Sequence, residues 1–152
     1  MRAPRPEVDE RMDEPPASGH RVLPHTADVI IEAWGPSRLE CFEEAVRALV
    51  ESFARFTQSA PNPVPVTFEE RDDDALLVAL LDEVIYIIDL LGTVPANVVL
   101  DETEDGRVVG FMDLAPISEV EIVGAPPKGV SLSDLSVIRE NGLCRCRATI
   151  DV

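Results

Sequence analysis

"VIIEAWGPSRLECFEEAVRALVESF", residues 29–53, decides the fold class. Its first six residues, Val29–Trp34, are a compact run rich in β-branched side chains and read as a strand. Gly35 and Pro36 stop that strand. Ser37 stands three residues before Glu40, the spacing of a capping box at a helix N-terminus. Leu39, Phe42, Val46, Leu49, Val50 and Phe53 then recur at helical spacing, with Glu43, Glu44 and Arg47 between them. The pattern predicts an amphipathic helix of about five turns lying with one face on a sheet.

Downstream the alternation continues. A short strand is expected at Val64–Glu69, and Pro63 and Pro65 place it at a sheet edge. Asp72, Asp73 and Asp74 put negative charge where a helix N-terminus favours it. "ALLVALLDEVIYIIDL", residues 75–90, is apolar nearly all round, so this second helix is expected to be more deeply buried than the first, with Gly92 ending it. The last third is β-rich. Val98–Leu100 and Arg107–Leu114 flank a hairpin signal at Asp105–Gly106, Ile117–Val123 is another strand candidate, and residues 129–138 and 142–152 surround a second hairpin turn at Asn141–Gly142. The sum is an α+β fold: a mixed β-sheet, two main helices packed on it, and a hairpin-rich C-terminal half.

The chain of 152 residues suits one domain. Residues 1–20 are Pro-rich and charged with almost no large apolar side chain, and a disordered tail is expected there, ahead of a single domain over 21–152. Hydrophobic residues make up 45% and aromatics only 5%, so the core must be mainly aliphatic. Thirteen basic residues against 29 acidic ones give a net charge of −16. That balance argues against direct nucleic-acid binding, which relies on dense Lys and Arg, and suits cations or a basic protein partner.

Cys144 and Cys146 share one face of a strand, which is poor geometry for a disulfide, and Cys41 falls in the helical pattern. Neither spacing matches zinc, so reduced structural thiols and a cytoplasmic setting are expected. The longest apolar run, around Ala75–Ile88, is broken by Asp82 and Glu83, and the first residues hold no apolar signal core; no membrane association is expected.

No P-loop, no GxSxG and no Gly-rich dinucleotide turn occurs. His20 falls in the expected tail, which leaves His25 as the histidine available to a site. Three features carry what chemistry there is. His25-Thr26-Ala27-Asp28 precedes the first strand. The sequence closes on Ile150-Asp151-Val152. Lys128 is the only lysine; the other twelve basic residues are arginines. Joined, they describe a hard-cation site. The carboxylates of Asp28 and Asp151 with the α-carboxylate of Val152 supply oxygen ligands for Ca²⁺ or Mg²⁺. Lys128 balances the remaining negative charge, and His25 orders Asp28 by a hydrogen bond. A solvated turn aspartate and a solvated terminal aspartate are the plain alternative.

Four separated blocks carry a resemblance. "PHTADVIIEAWGPSRLECFEEAVRALVESF" resembles the N-terminal signature of the archease family, and "DDDALLVALLDEVIYIID" its second helix. "PPKGVSLSDLSV" is similar to the family's lysine-bearing segment, and "RCRATIDV" to its closing strand. The likeness runs from Arg21 to Val152. It departs at Gly129, Ser131, Leu132 and Ser133, where the family usually has Ala, Thr, Tyr and His. Archeases are accessory proteins of the GTP-dependent ligase that seals RNA ends in tRNA splicing and RNA repair. The resemblance implies a non-enzymatic activator that promotes guanylylation and multiple turnover of that ligase. It implies metal-binding positions at Asp28, Asp151 and Val152, a functional lysine at Lys128, and His25 in the same motif. The divalent cation expected is Ca²⁺, with Mg²⁺ or Mn²⁺ as alternatives. A general chaperone or assembly module and a metal-dependent phosphoesterase are the rival functions.

Overall fold

In the computed structural model of this protein the described residues are 17–23, 28–57 and 62–152. Strand β2 (Asp28–Gly35) runs into helix α1 (Arg38–Glu51) as expected. The Ser37 hydroxyl accepts the Glu40 amide at 3.2 Å, satisfying one donor of the first helical turn. The helix is shorter than its apolar spacing suggested: Ser52 caps it, and Phe53 reaches the core from the turn beyond. Helix α2 (Asp73–Leu91) is capped by Asp72, whose carboxylate accepts the Ala75 amide at 3.1 Å. Gly92 ends α2 with φ of 63°, a left-handed conformation suited to glycine.

Strand β1 (Gly19–Leu23) pairs with β2, and the four-stranded sheet runs β1-β2-β9-β8, with β8 at Gly129–Glu140 and β9 at Leu143–Asp151. A three-stranded sheet runs β4-β6-β5, built from Pro63–Phe68, Val108–Pro116 and Thr93–Glu102. A two-stranded piece pairs β3 (Ala54–Phe56) with β7 (Val120–Ile122). The α+β class stands, but every pairing among the described residues is antiparallel, and the strands divide among three sheets instead of forming one mixed sheet. Tight hairpins explain much of this. Asn141 and Gly142, at φ of 54° and 74°, turn β8 directly into β9, a connection that only antiparallel strands allow. As expected, β4 with its two prolines lies at a sheet edge.

Both helices contact strands of the two larger sheets, so the core lies around the helices and between the sheets. The expectation that α2 is the more deeply buried helix fails. In α1 seven of 14 residues are buried; in α2 eight of 19 are. The small side chains of Ala45 and Ala48 let α1 sit close to strands on two sides, whereas α2 keeps Asp82, Tyr86 and Asp89 on its solvent face.

Order also begins before the expected boundary at Arg21: Gly19 and His20 already belong to β1. His20 lies under the sheet, with its ring nitrogens 2.6 Å from Glu44 and 2.7 Å from Glu51 of α1. Burial of the ring opposes its charged form, but the hydrogen bonds to Glu51 and Glu44 outweigh it and leave the His20 pKa raised. The expected tail over residues 1–16 lies outside the described residues.

Candidate metal site at the sheet end

Burial alternates along β2: Ile31 and Ala33 are in the core, so Asp28, Ile30, Glu32 and Trp34 share the outer face. On β9, Cys144, Cys146, Ala148 and Ile150 are buried, which puts Asp151, Thr149, Arg147 and Arg145 outward. The register then places Asp28 directly opposite Asp151. On the other side of β9, Gly129 is opposite Asp151 as well. A methyl group built on Gly129 would meet Asp151 Oδ2 at 3.8 Å, so that carboxylate extends along the same outer face.

Lys128 stands just before β8, and its backbone amide donates to the Asp151 carbonyl at 2.7 Å. Pro126 and Pro127 have no N–H, so Lys128 supplies the first donor of that segment. Its side chain is exposed, beside the same strand end. Val152 follows Asp151 immediately and packs against the core cluster. The structure therefore brings Asp28, Asp151, Val152 and the Lys128 backbone to one end of one sheet. His25 lies outside the described residues.

One residue there went unnoticed in the sequence. Thr149 sits two positions before Asp151 on the outer face, yet is only 6% exposed, and its hydroxyl has no hydrogen-bond partner. In "RATID" it looks like any outward polar residue of an alternating strand, so only three-dimensional structure reveals the burial. A buried hydroxyl without a partner costs about 1–3 kcal/mol, and it adds an uncommitted oxygen to this corner.

Like charges directly opposite across a strand pair are destabilising, and two carboxylates at that spacing invite a cation. The donors present are oxygens, which suit Ca²⁺, Mg²⁺ or Mn²⁺ and not soft metals. Among the described residues no group of three His, Cys, Asp or Glu side chains converges, so two carboxylates are the anionic side-chain donors in place.

The thiols offer no competing chemistry. Cys41, Cys144 and Cys146 are free and buried. The Cys144 thiol is pushed up by its hydrogen bond to Cys41 and by burial, which keeps it protonated and unreactive.

A larger cavity of about 600 Å³ beside the start of α1 is lined by Arg38, Glu102 and Arg139 among others. Its arginines are already engaged: Arg38 donates to Asp73 at 3.0 Å and to Glu102 at 3.2 Å, and Arg139 donates to both oxygens of Asp73 at 2.6 and 2.9 Å.

An antiparallel sheet backed by helices, with aspartates of the first full strand and the last strand side by side, defines a small α+β protein with an oxygen-donor site at a sheet end. The chain belongs to the archease family: the model of the Archease protein family (MTH1598/TM1083) matches residues 20–152. It is 41% identical over 138 residues to the probable protein archease of two Mycobacterium tuberculosis strains, CDC 1551 / Oshkosh and H37Rv. Those matches cover 90% of this chain and 76% of the relative. The solution structure of Methanobacterium thermoautotrophicum protein 1598 is similar, with a TM-score of 0.67 and 28% identity over 88% of this chain and 99% of that one. The crystal structure of an archease described as a possible chaperone, from Thermotoga maritima, shares the fold, with a TM-score of 0.63 at 18% identity over 86% and 94% of the two chains. No helix among the described residues is long and apolar enough to cross a membrane.

Proposed function

We propose that this chain is a non-catalytic, metal-binding activator of a GTP-dependent RNA ligase, promoting the ligase's guanylylation and repeated turnover in tRNA splicing or RNA repair. One observation carries the reading: the Asp28–Asp151 pairing at a strand end next to Lys128. A divalent cation, Ca²⁺ first among Ca²⁺, Mg²⁺ and Mn²⁺, is held by the two carboxylates. The α-carboxylate of Val152 and water would complete its oxygen shell. When bound, the ion supplies positive charge that attracts phosphate oxygens. Asp28 and Asp151 fix its place, and the Lys128 ammonium offers a second, compact charge toward the same phosphates. His25, outside the described residues, belongs to the motif leading into Asp28. The net charge of −16 draws the chain toward a cleft built to hold RNA and nucleotide while repelling RNA itself.

The test is formation of the guanylylated ligase from GTP, with and without this chain. Asp28→Ala, Asp151→Ala and Lys128→Ala should each abolish stimulation while leaving the fold intact. Full stimulation by all three variants refutes the proposal.

A second reading, a general chaperone, has one specific observation in its favour. Pro65, Phe111 and Val99 stand in one row across β4, β6 and β5, all exposed, and make an apolar strip. Protection of unrelated unfolded proteins by wild type and by Asp28→Ala alike would support it.

A further inference from the structure

The outer face that carries the two aspartates has a second end of opposite character. One row from the other end of the β2–β9 pairing, Trp34 is opposite Arg145, and Arg145 is opposite Ile138 of β8. In the next row but one along the strands, Glu32 is opposite both Arg21 and Arg147. These side chains line a shallow cavity of about 210 Å³. Arg21 and Arg147 hold the Glu32 carboxylate between them at 3.2 and 2.7 Å. Arg145 reaches Glu140 at 3.4 Å. Among the described residues three guanidinium groups thus meet two carboxylates, a local excess of positive charge in a chain of net charge −16. The three arginine side chains are 58%, 42% and 56% exposed for Arg21, Arg147 and Arg145. Each guanidinium carries five N–H donors, so these contacts leave donors on every fork.

We infer that this arginine end binds an acidic segment on the surface of the partner protein, so that the partner is gripped at two points of one sheet face. The identity of the partner rests on the proposed function. Arg147 and Asp151 are both outward on β9 and four residues apart, so the two points lie roughly 13 Å from each other. The matching surface on the ligase is a phosphate-binding cleft with a cluster of carboxylates at about that distance. Carboxylate is the chemistry this end already accepts, since Glu32 lies in its fork. Single-stranded RNA fits less well. Arg21 covers one face of the Trp34 ring, with Cζ 5.0 Å from the ring centroid, which removes a surface on which a base would stack. The overall charge also repels a polyanion.

The experiment measures affinity of the full chain for the purified ligase by biolayer interferometry in Ca²⁺, at about 50 mM and about 500 mM salt. Arg145→Glu and Arg147→Glu should weaken binding about tenfold at low salt, and the differences should shrink at high salt. Arg145→Gln and Arg147→Gln, which add no negative charge beside Glu32, should weaken it about threefold with the melting temperature unchanged. Affinities within twofold of wild type for all four variants, or tighter binding, overturn the inference. If Asp28→Ala loses stimulation in the same preparation, the proposed function survives that outcome and only the arginine contact falls. A wild-type chain that neither binds nor stimulates the ligase refutes both. An oligouridylate of about ten nucleotides, bound by wild type and lost in the arginine variants while ligase affinity holds, makes RNA the occupant and overturns the inference too.

Discussion

Replacing Asp28 with Asn should make this protein more stable without divalent cations and less stable with them. Asp28 and Asp151 face each other across two strands, where opposed side chains stand about 5 Å apart. At that separation and the dielectric of water, which is appropriate because Asp151 is exposed, Coulomb repulsion is roughly 0.8 kcal/mol. Asn removes the charge and keeps the shape, so Asp28→Asn in a chelator at low salt should raise the melting temperature by about 2–4 °C. A cation that binds only the folded state reverses the order. At a concentration 100 times its dissociation constant it stabilises wild type by about 2.7 kcal/mol, roughly 8 °C for a domain of this size. The variant, with one carboxylate instead of two, should shift by a small fraction of that. The assay is thermal unfolding by circular dichroism, with Ca²⁺, Mg²⁺ or Mn²⁺ titrated into chelator-treated protein. Two curves that cross as the ion is added carry the prediction. Equal shifts in both proteins, or none in wild type, refute the idea that these carboxylates share an ion.

Other outcomes follow from the fold. The raised His20 pKa means its contacts with Glu44 and Glu51 stabilise the fold fully below the unfolded-state pKa of about 6.5 and fade as pH rises through the higher folded value. Wild type should therefore exceed His20→Gln in melting temperature at about pH 5.5 by more than at about pH 9, and an advantage independent of pH contradicts this. Burial pushes the Asp73 carboxyl up, but its hydrogen bonds to Arg139 and Arg38 win and lower its pKa. Its stabilisation is present above the unfolded-state value of about 3.9 and lost as pH falls through the folded value, so Asp73→Asn should show its deficit at neutral pH and lose it in acid. Phe42→Ala, at a fully buried position of α1, should cost about 3–5 kcal/mol in denaturant unfolding. The three buried thiols should react with Ellman's reagent only after unfolding, and rapid labelling of native protein refutes their burial.

The sequence speaks most clearly where neighbours along the chain decide structure. The run from Val29 to Phe53 shows its strand, its cap at Ser37 and its helix because all three signals are local. The hairpin at Asn141–Gly142 is legible for the same reason. Strand β1 was hidden. Gly19, His20 and Arg21 have weak strand character, and what orders them lies far off in the chain: Trp34 packed over Gly19, and Glu44 and Glu51 at the His20 ring. Strand β3 has three residues, too few for any period to show, while β7 lies inside the strand expected at Ile117–Val123 but keeps only Val120–Ile122, because Ile117–Glu119 forms a 3₁₀ turn. At the site, Asp28, Asp151 and Lys128 stood out by position and by family likeness, and the register sets the two aspartates opposite each other. Thr149 did not stand out, because its burial depends on how β8 crosses beside it. The pairing there slips between Ser131 and Ser136, an irregularity no local pattern encodes.

The opposition of the two aspartates is not free to relax by sliding the strands. A slip of one residue between β2 and β9 would turn every side chain of the moving strand to the other face. Ile31 and Ala33, or Ala148 and Ile150, would leave the core, and burial of each large aliphatic side chain is worth about 1.5–3 kcal/mol. The repulsion between two partly solvated carboxylates is smaller than the loss of even one of them. The aliphatic rows therefore hold the charged row in register, and they hold it at the end of both strands, where a residue can meet a partner without opening the sheet. A cation at the proposed site would find the two carboxylates already together. The work of assembling them has been done by the core, so the proposed ion binding would need little rearrangement of the chain.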